Sequence, residues 1–122
     1  MQIHQSAEDY LETILMLNQR MGRVRSIDVV NELGYTKASV SIAMKKLREN
    51  GYIAVDGEGN LTLLEPGREI AERIYSRHRL LTHFFVQLGV DEEVAAEDAC
   101  KAEHILSEQT LEKIREYALL HD

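Results

Sequence analysis

The chain has 122 residues, 44% of them hydrophobic and 29% charged, enough to bury the core of one or two small domains. No apolar run approaches the ~20 residues of a membrane span, and the polar, acidic stretch from Met1 to Tyr10 is expected to be neither a signal nor a transit peptide. The single cysteine, Cys100, excludes an internal disulfide and fits a reducing cytoplasm.

A net charge of −7 argues against a nucleic-acid partner until its distribution is read. Residues 1–65 carry seven Lys/Arg against nine Asp/Glu, and residues 66–122 carry seven against twelve. Most of the excess acid therefore lies in the second half, where a cation-binding module would hold it and a bound divalent metal would offset it.

In chain order, Ser6 with Asp9 predicts a capped first helix, and Leu11, Ile14, Leu15 and Leu17 carry its apolar spacing to about Met21-Gly22. Ser26 is expected to cap a short second helix bearing Ile27, Val30 and Leu33, which Gly34 stops. Thr36 caps a third helix running to Asn50. Tyr52–Val55 and Leu61–Leu63, around the turn Asp56-Gly57-Glu58-Gly59-Asn60, predict a hairpin. The only proline, Pro66, marks the expected boundary between two domains, 1–65 and 66–122. Beyond it a long helix is expected from about Gly67 to Leu88. Another, capped by Asp91, should reach roughly Ile105, and a last one, capped by Ser107, about Leu120.

Ser26–Asn50 has the layout of a helix-turn-helix, with the hairpin behind it as a wing. A wheel of Thr36–Asn50 gathers Val40, Ala43, Met44 and Leu47 as core. Ala38, Ile42, Lys45 and Glu49 lie opposite, flanked by Lys37, Ser39, Ser41 and Lys46. Small residues at the helix start allow deep entry into a major groove. Ala38 and Ile42 are limited there to apolar contacts such as thymine methyls, while Ser39, Ser41, Lys37, Lys45 and Lys46 suit phosphates. The plainer reading is an amphipathic helix with a solvated lysine face; the order helix, turn, helix, hairpin favours double-stranded DNA. Asp56 and Glu58 would repel phosphate at the wing.

Cys100, Glu103 and His104 stand at i, i+3 and i+4, which places a thiolate, a carboxylate and an imidazole on one helix face. Such a mixture suits a transition metal. Asp9 and Glu12 sit three apart on the first helix and His78 midway along the long one, so that three helices can offer six donors. Each has a simpler role available: Cys100 as a small core residue, Asp9 as a cap, His78 as a solvated histidine. His4, His83 and His121 are read as surface residues.

At this point the motifs Ala7-Glu8-Asp9-Tyr10-Leu11-Glu12, Ser39-Val40-Ser41, Arg77-His78-Arg79-Leu80-Leu81 and Ala99-Cys100-Lys101-Ala102-Glu103-His104 resemble those of the diphtheria-toxin-repressor/manganese-transport-regulator family, in its order and spacing. The resemblance implies a mainly α fold: a winged helix-turn-helix followed by an all-helical metal-binding and dimerisation domain, in the short form without an SH3-like third domain. It implies a cytoplasmic homodimeric repressor of metal-uptake genes, activated by Fe²⁺ or Mn²⁺ (with Zn²⁺ or Co²⁺ as substitutes in vitro). Its ligand positions carry over to Asp9, Glu12, His78, Cys100, Glu103 and His104; the DNA-facing residues remain those read from the third helix, Thr36, Lys37, Ala38, Ser39, Ser41, Ile42, Lys45 and Lys46. Membrane and small organic substrates are not implied.

The chain mixes two patterns. The manganese type has Glu where Cys100 stands, and the iron type has Met where Asp9 stands; Thr82 and Ala96 replace donors of the iron type's ancillary site. The thiolate leans the expectation towards Fe²⁺. The alternative is a winged-helix regulator that senses no metal. A metalloenzyme is disfavoured, since Glu-x-x-His, HExxH and Walker motifs are all missing and Cys100–His104 has no evident orienting partner.

Overall fold

The computed structural model describes residues 5–122, so that His4 lies outside the described residues. Six helices and one hairpin follow in the order α1 (Gln5–Met21), α2 (Ser26–Leu33), α3 (Lys37–Glu49), β1 (Ile53–Val55), β2 (Leu61–Leu63), α4 (Glu65–Gln87), α5 (Glu92–Ala102) and α6 (Glu108–Leu120). They form two compact units, one running to Glu72 and one from Arg73 to Asp122, with the division inside α4. No helix among the described residues is long and apolar enough to cross a membrane.

In the first unit α1 packs on α2, α3 and β2. Leu11, Ile14, Val24, Val29, Val40 and Ile53 are fully buried or nearly so, each at 0–1% exposure. The apolar spacing read from α1 and α3 thus faces one core. The hairpin is antiparallel with Ile53 opposite Leu63, Ala54 opposite Thr62 and Val55 opposite Leu61. Leu61 and Leu63 point inward and Thr62 outward, the period of two that a half-buried strand requires. The Leu61 N–H donates to the Val24 carbonyl at 2.7 Å, tying the wing to the segment between α1 and α2.

Two glycines are needed where they stand. Gly34 closes α2 at φ 71°, ψ 21°, a left-handed conformation that costs other residues dearly, and its N–H donates to the Val30 carbonyl. Gly67, in the first turns of α4, lies against the Tyr52 backbone: a Cβ there would stand 2.2 Å from the Tyr52 carbonyl oxygen. That close approach joins the start of α4 to the base of the wing, which is why the first unit runs past Pro66.

Element ends differ from expectation at several points. Ser6 lies inside α1, which already includes Gln5, and so is not its cap. Arg25, not Ser26, occupies the cap position of α2, because the Asp28 carboxylate reaches back to accept from the Arg25 N–H at 2.9 Å. Helix α4 begins at Glu65, ahead of Pro66, whose missing N–H costs nothing in a first turn. Helix α5 stops at Ala102 instead of about Ile105, and the Ile105 N–H bonds the Ala102 carbonyl in a tightened turn. Ser107 must be extended (φ −72°, ψ 160°) to cap α6, which leaves no room for a longer α5.

In the second unit Leu81, Ala99 and Leu111 form the centre, with Leu80, Phe85, Ala102, Leu106 and Ile114 packed against it. Leu88 and Ile105 do not join it and remain 59% and 76% exposed.

Two tests follow from this packing. Gly67→Ala should destabilise the protein by about 1–3 kcal/mol, as overpacking against backbone does, and lower the thermal midpoint accordingly. At the wing tip, the Asn60 amide side chain and N–H, with the Glu58 N–H, hold the Asp56 carboxyl below its ordinary range. A depressed value means that the ionised form supports the turn. The contribution is therefore full above the ordinary aspartate value of about 3.9 and is lost as pH falls through the lower folded value. Amide exchange at Glu58 and Asn60 should accelerate on acidification in that window, and Asp56→Asn should remove the dependence.

Candidate nucleic-acid face and metal-ligand cluster

Helix α3 is started by Thr36, whose Oγ1 accepts from the Ser39 N–H at 3.1 Å while its hydroxyl donates to Ser39 Oγ at 2.9 Å. Ser39, a candidate phosphate contact, is thus also engaged with Thr36 in holding the helix end. Val40, Met44 and Leu47 are buried and turn the opposite side outward. All eight residues expected to meet DNA, Thr36, Lys37, Ala38, Ser39, Ser41, Ile42, Lys45 and Lys46, are exposed. Ile42 is 58% exposed, an apolar side chain held out from a cationic surface. Lys45 stands 4.0 Å from Glu49 in a solvated pair of small energetic weight.

The structure adds two residues that the sequence reading passed over. Ser26 and Arg48 line a cleft of about 250 Å³ with Ser41, Met44, Lys45 and Val55. Arg48 continues the stripe Ser41–Lys45–Arg48 at i, i+4, i+7, a spacing the wheel of Thr36–Asn50 already contained. At the wing, Arg23 lies 3.8 Å from Glu58, both well exposed, and Asp56 stays ionised; the tip is anionic as expected.

In the second unit His78, Glu103 and His104 come together. His78 Nδ1 lies 3.0 Å from Glu103 Oε2, and His104 Nε2 lies 3.4 Å from Glu103 Oε1. Glu103 has no exposed surface, and the side chains of His104 and His78 are 1% and 21% exposed. His78 is thus drawn into a cluster and is not simply solvated. An ionised carboxylate out of water needs compensating charge and hydrogen bonds, which a protonated imidazole or a cation can supply. Imidazole nitrogens converging on a carboxylate form a donor set that first-row divalent metals take. The residues present fit such an ion.

Cys100 behaves differently. The early end of α5 sets Glu103 and His104 on the turn beyond the helix, and the Cys100 thiol is exposed while Glu103 is buried. The shared helix face expected for all three does not hold in burial. In the first unit Asp9 and Glu12 occupy adjacent turns of α1, half-buried and 5% exposed respectively. Thr82 spends its hydroxyl on the His78 carbonyl at 2.8 Å, within its own helix, and Ala96 offers no donor. His83 pairs with Asp122 at 2.7 Å, and His121 stacks on Tyr117 with ring centroids 3.9 Å apart.

Comparison with known proteins gives consistent matches along the chain. Residues 2–61 match the iron-dependent repressor N-terminal DNA-binding domain, and residues 64–119 match the iron-dependent repressor metal-binding and dimerisation domain. The chain is 36% identical over 113 residues to an HTH-type transcriptional regulator of Methanocaldococcus jannaschii, covering 91% of this chain and 90% of that one. It is 35% identical over 109 residues to the HTH-type transcriptional regulator MntR of Bacillus subtilis, covering 89% and 77%. Among solved structures, a manganese-dependent transcriptional repressor in complex with manganese superposes with a TM-score of 0.84 at 28% identity. That alignment covers 92% of this chain and 52% of the solved one, so this chain spans about half its length.

Proposed function

Since the chain belongs to the iron-dependent repressor family of metal-dependent transcriptional regulators, we propose that it is a cytoplasmic homodimer that represses metal-uptake genes when loaded with Mn²⁺ or Fe²⁺. In this reading residues 1–65 bind DNA and residues 66–122 bind metal and dimerise. The observation that carries the metal assignment is the fully buried Glu103 carboxylate between the rings of His78 and His104.

His78, Glu103 and His104 would hold the ion together with Asp9 and Glu12 of α1, and Cys100 would add a thiolate from its exposed position. Bound there, a divalent cation supplies a positive centre shared by carboxylates and imidazoles from both domains. Its binding energy then becomes a bias on how the DNA-binding domain is held. The buried donors are oxygen and nitrogen, which suit Mn²⁺; the thiolate, which suits Fe²⁺, is the exposed member, and this moves the balance towards Mn²⁺. Zn²⁺ or Co²⁺ would substitute in vitro.

Thr36, Lys37, Ala38, Ser39, Ser41, Ile42, Lys45 and Lys46 would face the major groove, the lysines and serines on phosphates and Ala38 and Ile42 on thymine methyls. Exposed Leu88, Ile105, Leu119 and Leu120 support burial against a second copy of the chain. Two such copies would read palindromic half-sites separated by one or more turns of about 34 Å.

Gel-shift binding to an uptake-gene promoter with each divalent metal, beside equilibrium dialysis of Mn²⁺ and Fe²⁺, tests the proposal. Asp9→Ala should keep the dimer but lose metal-stimulated DNA binding, and His104→Ala should lose metal affinity itself, by at least about tenfold. Normal metal activation in both variants would leave only a DNA-binding protein that senses no metal. Lys46→Ala should weaken binding to all sequences alike and lower the salt slope by about one unit, whereas changes at Ala38 or Ile42 should alter base preference.

A further inference from the structure

Arg77 directly precedes His78 on α4, and the two side chains hold the same residue at different points. His78 meets the Glu103 carboxylate at 3.0 Å, while Arg77 Nη1 donates to the Glu103 backbone carbonyl at 3.2 Å. Arg77 Nη2 pairs with the Glu108 carboxylate in the first turn of α6. The Glu103 carbonyl belongs to the end of α5, where carbonyls lose their partners within the helix and carry partial negative charge. The guanidinium thus spans the end of one helix and the start of the next, across the turn that carries Glu103 and His104.

Burial separates the two contacts. The Arg77 side chain is 14% exposed and Glu108 78%, so the Glu108 pair is solvated on one side and contributes little stability by itself. The carbonyl bond sits deeper and is directional. Only a planar fork with several donors can serve both acceptors at once; an ammonium is a point charge on a flexible stem.

We propose that Arg77 is a positioning residue for the metal cluster: it fixes the turn over residues 103–107, so that Glu103 and His104 are already set as ligands before a cation arrives. The inference rests on the metal-binding reading above. It adds a residue that contacts no metal and acts through backbone, by reducing the ordering that binding would otherwise require.

The test uses the full chain with Co²⁺ as the ion, titrated by its visible d–d absorption, beside amide exchange of the metal-free protein at Ile105 and Leu106. Both of these N–H groups bond the Ala102 carbonyl, at 3.1 and 3.3 Å. Arg77→Met keeps the apolar stem and removes every donor. It should weaken Co²⁺ binding by about 10- to 100-fold, alter the d–d bands and speed exchange at both amides without metal. Arg77→Lys should recover only part of the affinity, and Glu108→Gln should show a smaller loss than Arg77→Met. Wild-type affinity, spectrum and exchange in Arg77→Met overturn the inference. Complete rescue by Arg77→Lys also overturns it, since charge alone would then suffice. Should Arg77→Met fail to fold, Arg77→Lys and Glu108→Gln decide: wild-type binding in both counts against Arg77. A wild-type protein that takes up no Co²⁺ removes the metal reading and this inference with it; normal wild-type uptake with unaffected variants removes the inference alone.

Discussion

A carboxylate taken out of water has to be compensated where it stands, and in this protein that demand falls on Glu103, whose side chain has no exposed surface. Its neighbours are arranged around the requirement. Helix α4 brings His78 to one carboxylate oxygen, the turn after α5 brings His104 to the other, and Arg77 takes the backbone carbonyl of the same residue. The end of α5 belongs to the same arrangement: Glu103 closes the helix by donating its N–H to the Ala99 carbonyl at 2.9 Å, and Ala99 itself stays in the Leu81–Leu111 core. Replacing such a cluster with apolar side chains would cost little stability in principle. Its presence in a unit of about fifty residues is better explained by ligand chemistry than by folding.

The first unit solves a different electrostatic problem. It is slightly acidic overall, yet the exposed side of α3 presents Lys37, Lys45, Lys46 and Arg48 against one acid, Glu49. A polyanion approaching α3 meets a local field that the net charge does not describe. The wing tip opposes that field: Asp56 is kept ionised by three local hydrogen-bond donors, and its partner Glu58 is only loosely matched by Arg23. A wing of this charge is suited to bracing the segment between α1 and α2 through the Leu61–Val24 bond more than to gripping phosphate. Selectivity in the proposed repressor would then fall on the short side chains at the start of α3, and affinity on the lysine flank.

Element order, the extent of α3 and its core face were legible in the sequence because they depend on local rules. Val40, Met44 and Leu47 share a face at helical period, Thr36 is a good cap, and Gly34 is where a left-handed residue is required. The donor types of the candidate metal cluster were legible for the same reason, as residues at fixed spacing within short motifs. Tertiary structure decided what spacing could not. Cys100 and Glu103 lie three apart but differ wholly in burial, because His78 and Arg77 of α4 meet Glu103 while the Cys100 thiol stays exposed. His78, for which spacing alone left both a ligand and a solvated role open, and Arg77 beside it turn inward because partners 25 and 26 residues away receive them. Leu88 and Ile105 are apolar and yet stay exposed, since burial depends on which faces neighbouring helices cover. Periodicity along the chain determines which side chains point the same way; only packing between segments distant in sequence determines what they point at.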